Sequence, residues 1–536
     1  MQMNKTSLCL ALAAIVGTIA SAPAMAAGPN TAWASTATRA HELAATATTA
    51  DLAEASLPVH VEVVLKLQNR SALDDFIKAS QDPASSAFHT KLSAADAQAM
   101  FSPSQAQVQA VVDHLRASGF TNIQVSPNRL IISADGDAGT AQNAFATRLV
   151  KTHDAEGRAA YANIDDAKVP AALGQSVLAV VGLQTVAHAH TMLKPAARVG
   201  TNATTGIVGH NPTAFPTIYN AGSTPTASTI TVGIISDGDM TQPLKDLTTF
   251  TSNNGLPAVN TQVVTVGTPG TDTSGTPEWD LDSQDIVAMS GGVGKLIFYA
   301  ANSLSNSALT QAFNQAVTDN QAQVINVSLG ECETSAYNDG SMAADDQIFA
   351  LGVAQGQTFS ISTGDSGSNE CSKAPRGTTP SYPASSPYVV AVSGTTLTTG
   401  TNNSWAGETL WSKAGGSPST VEPKPSWQTQ GGGTTRDVAD VALDADPNSG
   451  AIIIVNGSNA QYGGTSLAAP LFAATWARLL AAHSTLGFAG PHLYQVPTTS
   501  YHDITSGSNG GETATVGWDY ASGFGSTIVT NLNSSL

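Results

Sequence analysis

Residues 211–536 predict an α/β domain with a mostly parallel sheet covered by helices on both faces, and residues 58–186 predict a smaller α+β sandwich of ferredoxin-like type ahead of it. Three observations carry this. From "ASTITVGIISDG" onward, fully apolar runs of strand length alternate with helical ones, the pattern of a sheet buried on both sides. In the earlier part the strand-like runs are apolar at every second position, and two strand-helix-strand passes are visible. Between the two parts lies "AHAHTMLKPAARVGTNATTGIVGHN", rich in Ala, Thr and Gly and without a period, which reads as a linker over 187–210 and a natural place for cleavage.

The elements follow in order. Residues 1–27 carry Lys5, the apolar run "LCLALAAIVGTIA" and then "SAPAMAAG", the pattern of a secretory signal peptide cut near Ala26 or Ala27. The run is short for a membrane span and is followed by small residues, not a basic stop. Residues 28–57 read as a loose Ala/Thr-rich lead-in. "LPVHVEVVLKL" reads as a strand, "SALDDFIKAS" and "SPSQAQVQAVVDHLRASG" as helices, the second capped by Ser102 or Ser104 and ended by Gly119. "NIQVSPNRLIISADG" gives two strands and "AGTAQNAFATRLV" a further helix. In the second part "TVGIIS", "KLIFYA", "VINVSLG", "QTFSIST" and "YVVAVSG" read as strands. "SQDIVAMSGGV", "LTQAFNQAVTDN" and "QIFALGVAQG" read as the helices between them. The Gly-, Ser- and Asn-rich C-terminus reads as loop.

Charge divides as unevenly as pattern. Of 40 acidic and 22 basic residues, 25 and 9 lie from Arg198 onward. An acidic second part argues against nucleic acid as a partner and suits acid conditions, where few positive charges remain to repel one another. Cys9 leaves with the signal. Cys332 and Cys371 remain, and an even pair in an exported chain predicts a disulfide. No Cys/His spacing suggests zinc.

"YGGTSLAAP" resembles the nucleophile turn of a subtilisin-type serine peptidase. Two glycines allow a tight turn, and Ser466 then stands at a helix N-terminus. A plain N-cap is the commoner use of serine there. A serine nucleophile ordinarily needs a histidine base, yet the chain has none between His210 and His483. "TPEWDLDSQDIVAMS" offers a substitute. Glu278 and Asp282 are four apart and project from one helical face. Alone, acidic residues at a helix start merely favour the dipole. Beside a serine without histidine, a carboxylate held by a second carboxyl can serve as base, and such a weak base suits low pH.

Together these stretches resemble the sedolisin family of serine-carboxyl peptidases. The resemblance runs through "SSAFHTKLSAADAQAMFSPS" in the first part. In the second it runs through "GHNPTAFPTIYNAG", "GTPEWDLDSQDIV", "QAFNQAVTDNQAQVINVSLG", "SISTGDSGSNEC", "PASSPYVVAVSGTTL", "KPSWQ" and "GGTSLAAP". It implies a subtilisin-like catalytic domain over 211–536, preceded by an activation prodomain over 58–186. It implies Ser466 as nucleophile, Glu278 as base, Asp282 as its partner and Asp365 as the oxyanion-hole residue. Asp365 could donate to an oxyanion only when protonated. "VINVSLG" resembles the strand that pairs with extended substrate. Glu331, just after it, stands where the pattern has an aromatic. "YHDITSGSNGGETATVGWDYASGFG" resembles the family's site for one calcium ion, implying Asp503 and Asp519 as carboxylate ligands and Ile504, Thr515 and Gly517 as carbonyl ligands.

The expected protein is thus a secreted, monomeric, acid-acting endopeptidase made as a self-activating zymogen. Its partners would be protein and peptide substrates and its own prodomain, with no nucleic acid and no membrane. A histidine-based subtilase using His483, His492 or His502 is one rival reading. A catalytically dead binding protein on the same scaffold is another.

Overall fold

The computed structural model describes residues 32–42, 51–197, 207–371 and 377–536. The proposed signal peptide and part of the lead-in lie outside the described residues. Among the described residues no helix is long and apolar enough to cross a membrane.

The first part holds a four-stranded antiparallel sheet, in the order Thr121–Val125, Ile131–Asp137, Pro58–Leu65 and Val177–Val181. The helices Gln105–Ser118 and Ala138–Phe145 pack on it around Val61, Val63, Val111, Leu115, Ile132 and Phe145. Ser104, of the two serines considered, caps the first of these helices, accepting from the Gln107 backbone. Gly119 ends it at φ 102, a conformation glycine adopts without strain. Two readings are corrected. The lead-in is not all loose: Trp33–Ser35 pairs with Lys168–Pro170, because that strand offers an open edge. The helix at "AGTAQNAFATRLV" stops at Phe145, where Ala146 turns to φ 49, and Leu149–His153 forms a strand instead, paired antiparallel with Ala159–Asn163.

In the second part the main sheet runs Thr261–Thr265, Lys295–Ala301, Thr231–Asp237, Val324–Val327, Thr358–Ser362 and Val390–Thr399, all parallel. Trp405–Leu410 adds an antiparallel edge, and Val441–Asp444 also pairs with Val390–Thr399. The helices Thr276–Ser290 and Thr465–Ala482 pack against each other on one face. Asn306–Asp319 and Ser341–Ala354 pack together on the other. The central strands are buried on both sides, as their uninterrupted apolar character requires, while the edge strand Thr261–Thr265 is partly exposed. Cys332 and Cys371 are joined, with Cα atoms 4.5 Å apart.

"VINVSLG" does not form one strand. Val324–Val327 stays in the main sheet, while Leu329–Cys332 turns away to pair with Ser381–Tyr382 on one side and with His190–Thr191 on the other. The linker is correspondingly not free of structure. His190–Thr191 adds to Leu329–Gly330, and Lys194–Pro195 adds to Tyr462–Gly463. A segment without periodicity is held extended because both flanking edges present unpaired backbone groups.

Candidate active site

Ser466 is the second residue of the helix Thr465–Ala482 and is wholly buried. Gly464 precedes that helix at φ 101, and a Cβ there would overlap the Met192 carbonyl oxygen and lie 2.7 Å from Asp365 Oδ2. Glycine is therefore required on two counts: its backbone angle and the close approach of the linker.

The linker crosses this turn in a definite register. The Ser466 N–H donates to the Met192 carbonyl (3.2 Å), and the Met192 N–H donates to the Ser328 carbonyl (3.2 Å). The Met192 side chain lies against the face of Gly330, within 2.8 Å of where a Cβ would stand. The Met192–Leu193 peptide bond thus lies at Ser466, with His190 and Thr191 paired on one side and Lys194 and Pro195 on the other. Ala189 continues the strand, donating to the Leu304 carbonyl.

Glu278 and Asp282 lie within the helix Thr276–Ser290, begun with Pro277 in its first turn and ended by Gly291 at φ 70. Both side chains are buried. Asp282 Oδ1 accepts from the Ser328 hydroxyl (2.6 Å), while Asp282 Oδ2 and both Glu278 oxygens have no hydrogen-bond partner among the described residues. Burial drives the Glu278 carboxyl well above the ordinary range, the Asp282 charge adds to this, and the Ser466 hydroxyl opposes it. Burial also raises Asp282, against hydrogen bonds from Ser328 and Asn326. Each carboxyl therefore lies within the electrostatic reach of the other, and both are near Ser466.

Asp365 approaches from the opposite side. Its Oδ1 accepts from the Thr465 N–H (2.8 Å) and hydroxyl (3.0 Å), and its Oδ2 faces the Lys194 ammonium at 3.7 Å without a hydrogen bond. Burial lifts its pKa to about 6, and Lys194 and Thr465 hold it from rising further. The predicted quartet Glu278, Asp282, Asp365 and Ser466 is therefore brought together. Sequence reasoning missed Ser328, which touches both Asp282 and the linker. It lies inside "VINVSLG", and a serine amid apolar residues is the signal that could have found it.

The histidines are engaged elsewhere. His483 bonds Asn533, His492 packs on His89 and Trp476, and His502 stacks on Trp405 at 3.7 Å. The residues of the calcium expectation lie around one loop. Asp503 Oδ2 accepts from the Gly517 N–H and Asp519 Oδ2 from the Thr515 N–H, both at 2.9 Å, so two carboxylates bracket one loop. Among the described residues no protein donor reaches the carbonyls of Ile504, Thr515 or Gly517. Free carbonyls beside two carboxylates are an oxygen donor set suited to calcium.

Many carboxyls share the burial of Glu278 and Asp282. It raises Asp237 to about 6, Glu370 to about 7 and Asp280 to about 9, with Asp272, Asp365 and Asp246 respectively adding to the shift. Folded, these groups keep protons that the unfolded chain releases above about pH 4. The stability they contribute is complete below that point and is lost as pH rises through about 6 to about 9. His210, His492 and His502, lowered to about 4 by burial, act oppositely as pH falls, but the raised carboxyls outnumber them. Calorimetry on Ser466→Ala, which removes the proposed nucleophile, should give a higher Tm at about pH 4 than at about pH 8.

A serine set against carboxyls on a subtilisin-like sheet, in a cleft that grips extended polypeptide, places the chain among the serine-type peptidases. Comparison with known proteins agrees. Residues 45–186 match the pro-kumamolisin activation domain and residues 289–518 the subtilase family. The chain is 46% identical to sedolisin from Pseudomonas sp. (strain 101), over 99% of this chain and 97% of that one. It is 44% identical to xanthomonalisin from Xanthomonas sp. (strain T-22), over 90% of this chain and 66% of that one. The solved structure of Pseudomonas sedolisin, a serine-carboxyl proteinase complexed with pseudo-iodotyrostatin, superposes with a TM-score of 0.60. It is 47% identical and covers 62% of this chain and 98% of that one. The chain belongs to the sedolisin family of serine-carboxyl peptidases, and its first part is the prodomain.

Proposed function

We propose that this peptidase is a secreted, acid-acting endopeptidase whose precursor cuts its own linker. The observation that carries the reading is the Met192 carbonyl at the Ser466 N–H, in a cleft where the nearby proton acceptors are carboxyls. Ser466 Oγ attacks that carbonyl carbon while Glu278, sharing charge with Asp282, takes the hydroxyl proton. The oxyanion that forms is met by the Ser466 N–H and by a neutral Asp365 O–H. Collapse breaks the C–N bond, the departing amine takes the proton from Glu278, and water repeats the cycle on the acyl-enzyme. The linker runs on past the third upstream residue to Ala189, which favours an internal cutter over one that needs a free N-terminus nearby.

Latency follows from Lys194. Its ammonium beside Asp365 favours the carboxylate, which repels an oxyanion, so cleavage waits for pH to fall below about 6. The test is to shift purified precursor to about pH 4 and follow intact mass. The first product should end at Met192, and the enzyme released should digest casein there and fail at about pH 8. A first cut elsewhere overturns the register. Casein hydrolysis at the higher pH alone overturns the acid mechanism. Export rests on residues 1–27.

Asp503 and Asp519, with the carbonyls of Ile504, Thr515 and Gly517, would hold one calcium ion, which would tie the C-terminal loop together. Asp519→Ala should carry no calcium by metal analysis. It should also unfold at lower temperature, because an ion bound only by the native state stabilises it. Equal calcium in mutant and wild type refutes the site.

A further inference from the structure

Glu331 follows Gly330 on the strand Leu329–Cys332, one step beyond the part that pairs with the linker. Thr191 faces Leu329 and His190 faces Gly330, where the pairing ends and the Ala189 N–H turns to the Leu304 carbonyl; the same register carried on by one residue would set Ala189 beside Glu331. Counting from the bond at Ser466, Ala189 is the fourth residue upstream. Opposed residues in an antiparallel pair project to the same face. The second and fourth upstream side chains therefore share a face with Leu329 and Glu331. The first, Met192, lies on the other face, over Gly330.

On that face the chemistry is polar and incomplete. Glu331 is 6% exposed, and its Oε2 has no hydrogen-bond partner among the described residues. Asp345, 4% exposed, has an equally unpartnered Oδ1. Burial raises the Glu331 carboxyl well above its ordinary range, the charges of Asp339 and Asp345 add to this, and Asn306 lowers it. Asp339 Oδ2 is satisfied, by Asn306 Nδ2 at 2.5 Å and by Gln184 Nε2 at 2.8 Å. Gln184, however, belongs to the segment upstream of the linker cut, and with Ala187 it lines a cavity of about 190 Å³ beside Asp339. On the self-cleaving reading, that carboxamide departs with the prodomain. Ala189 is too short to replace it.

We propose that Glu331, backed by Asp339 and Asn306, forms the subsite for the fourth residue upstream of the scissile bond and selects side chains that carry N–H donors: lysine, arginine or glutamine. A buried acceptor left unpaired by an aliphatic side chain is penalised, whereas a donor satisfies it. An aromatic at position 331 would favour apolar side chains instead.

The experiment uses mature enzyme and internally quenched peptides that differ only at the fourth upstream position, which is lysine, glutamine or leucine. Wild type should cleave the lysine and glutamine peptides with kcat/KM at least about ten-fold above the leucine peptide. Glu331→Leu should reverse the order. Glu331→Gln, which keeps the shape, should retain the preference for glutamine and lose that for lysine. A parallel series varied at the first upstream position should be unaffected in both variants, which separates selection from general damage. Should Glu331→Leu not fold, Glu331→Gln and Asp339→Asn carry the test. The proposal is overturned if wild type cleaves all three peptides equally, or if the order survives in every variant that still cleaves. Absence of any cleavage by wild type at acid pH overturns the peptidase reading itself, and this proposal with it.

Discussion

Ser466→Ala precursor, brought to acid pH, should remain a single chain while wild type converts. On the proposed mechanism the cut is intramolecular and its nucleophile is gone. Loss of a nucleophile in a serine peptidase costs on the order of 10⁶-fold in kcat, so no product should form on the time scale of wild-type maturation. Glu278→Gln should behave alike. The carboxamide keeps the size of the side chain but cannot take the Ser466 proton. Both variants should bind the linker as before, because its backbone contacts come from Ser328, Leu329, Gly330, Tyr462 and Gly463 and from the backbone N–H of residue 466, which alanine keeps. A trace of mature wild type added in trans distinguishes an inert site from a misfolded chain: a folded variant is then cut in its linker. Spontaneous maturation of purified Ser466→Ala would end the proposed mechanism.

Asp365 offers the second test, and its signature is a pH profile. With a pKa of about 6, in the proposed role it would donate to the oxyanion only on the acid side of that value. Asp365→Ala should lose about 2.7–4 kcal/mol of transition-state stabilisation, the usual cost of removing one oxyanion donor. Asp365→Asn donates at every pH. It should keep measurable activity, and its alkaline limb should move up or flatten. In wild type the limb for casein should lie above that for self-cleavage, because Lys194, on the new N-terminus once the Met192–Leu193 bond is cut, is displaced from the cleft by substrate and no longer favours the carboxylate. The comparison is kcat/KM against pH for the three proteins. If alanine matches wild type, Asp365 is a turn residue. If asparagine is active with an unmoved limb, the limb belongs to the Glu278–Asp282 pair.

How much of this was legible in the sequence varies with the kind of constraint. The central strands were, because burial on both faces demands unbroken apolar runs. Ser466 announced itself through the glycines its turn requires, and Glu278 and Asp282 through helical spacing. The path of the linker was not legible. Nothing in "AHAHTMLKP" marks it as a strand, because its partners lie over a hundred residues away, in Leu329–Gly330 and Tyr462–Gly463. Ser328 was hidden for a related reason: its role arises where the chain leaves one sheet to edge another. The depth of Glu331 was equally invisible. A glutamate beside a cysteine reads as a loop residue until the helices Asn306–Asp319 and Ser341–Ala354 are in place around it.

The linker's attachment at both ends has a kinetic consequence. While the chain is whole, each half of the strand is a tethered ligand, returned to the cleft at an effective concentration that no free peptide matches. Neither half needs tight binding of its own, and each pairs over only two residues of its neighbouring edge. One hydrolysed bond removes the tether between them. The downstream half then stays joined to residues 211–536, while the upstream half can leave only with the first part, which is held to the second by Leu73, Ile77 and Phe101 and by hydrogen bonds of Gln347 with Leu65 and Leu67. Opening of the cleft should therefore lag behind cleavage, and the loss of intact precursor mass should run ahead of the rise in activity on a separate peptide.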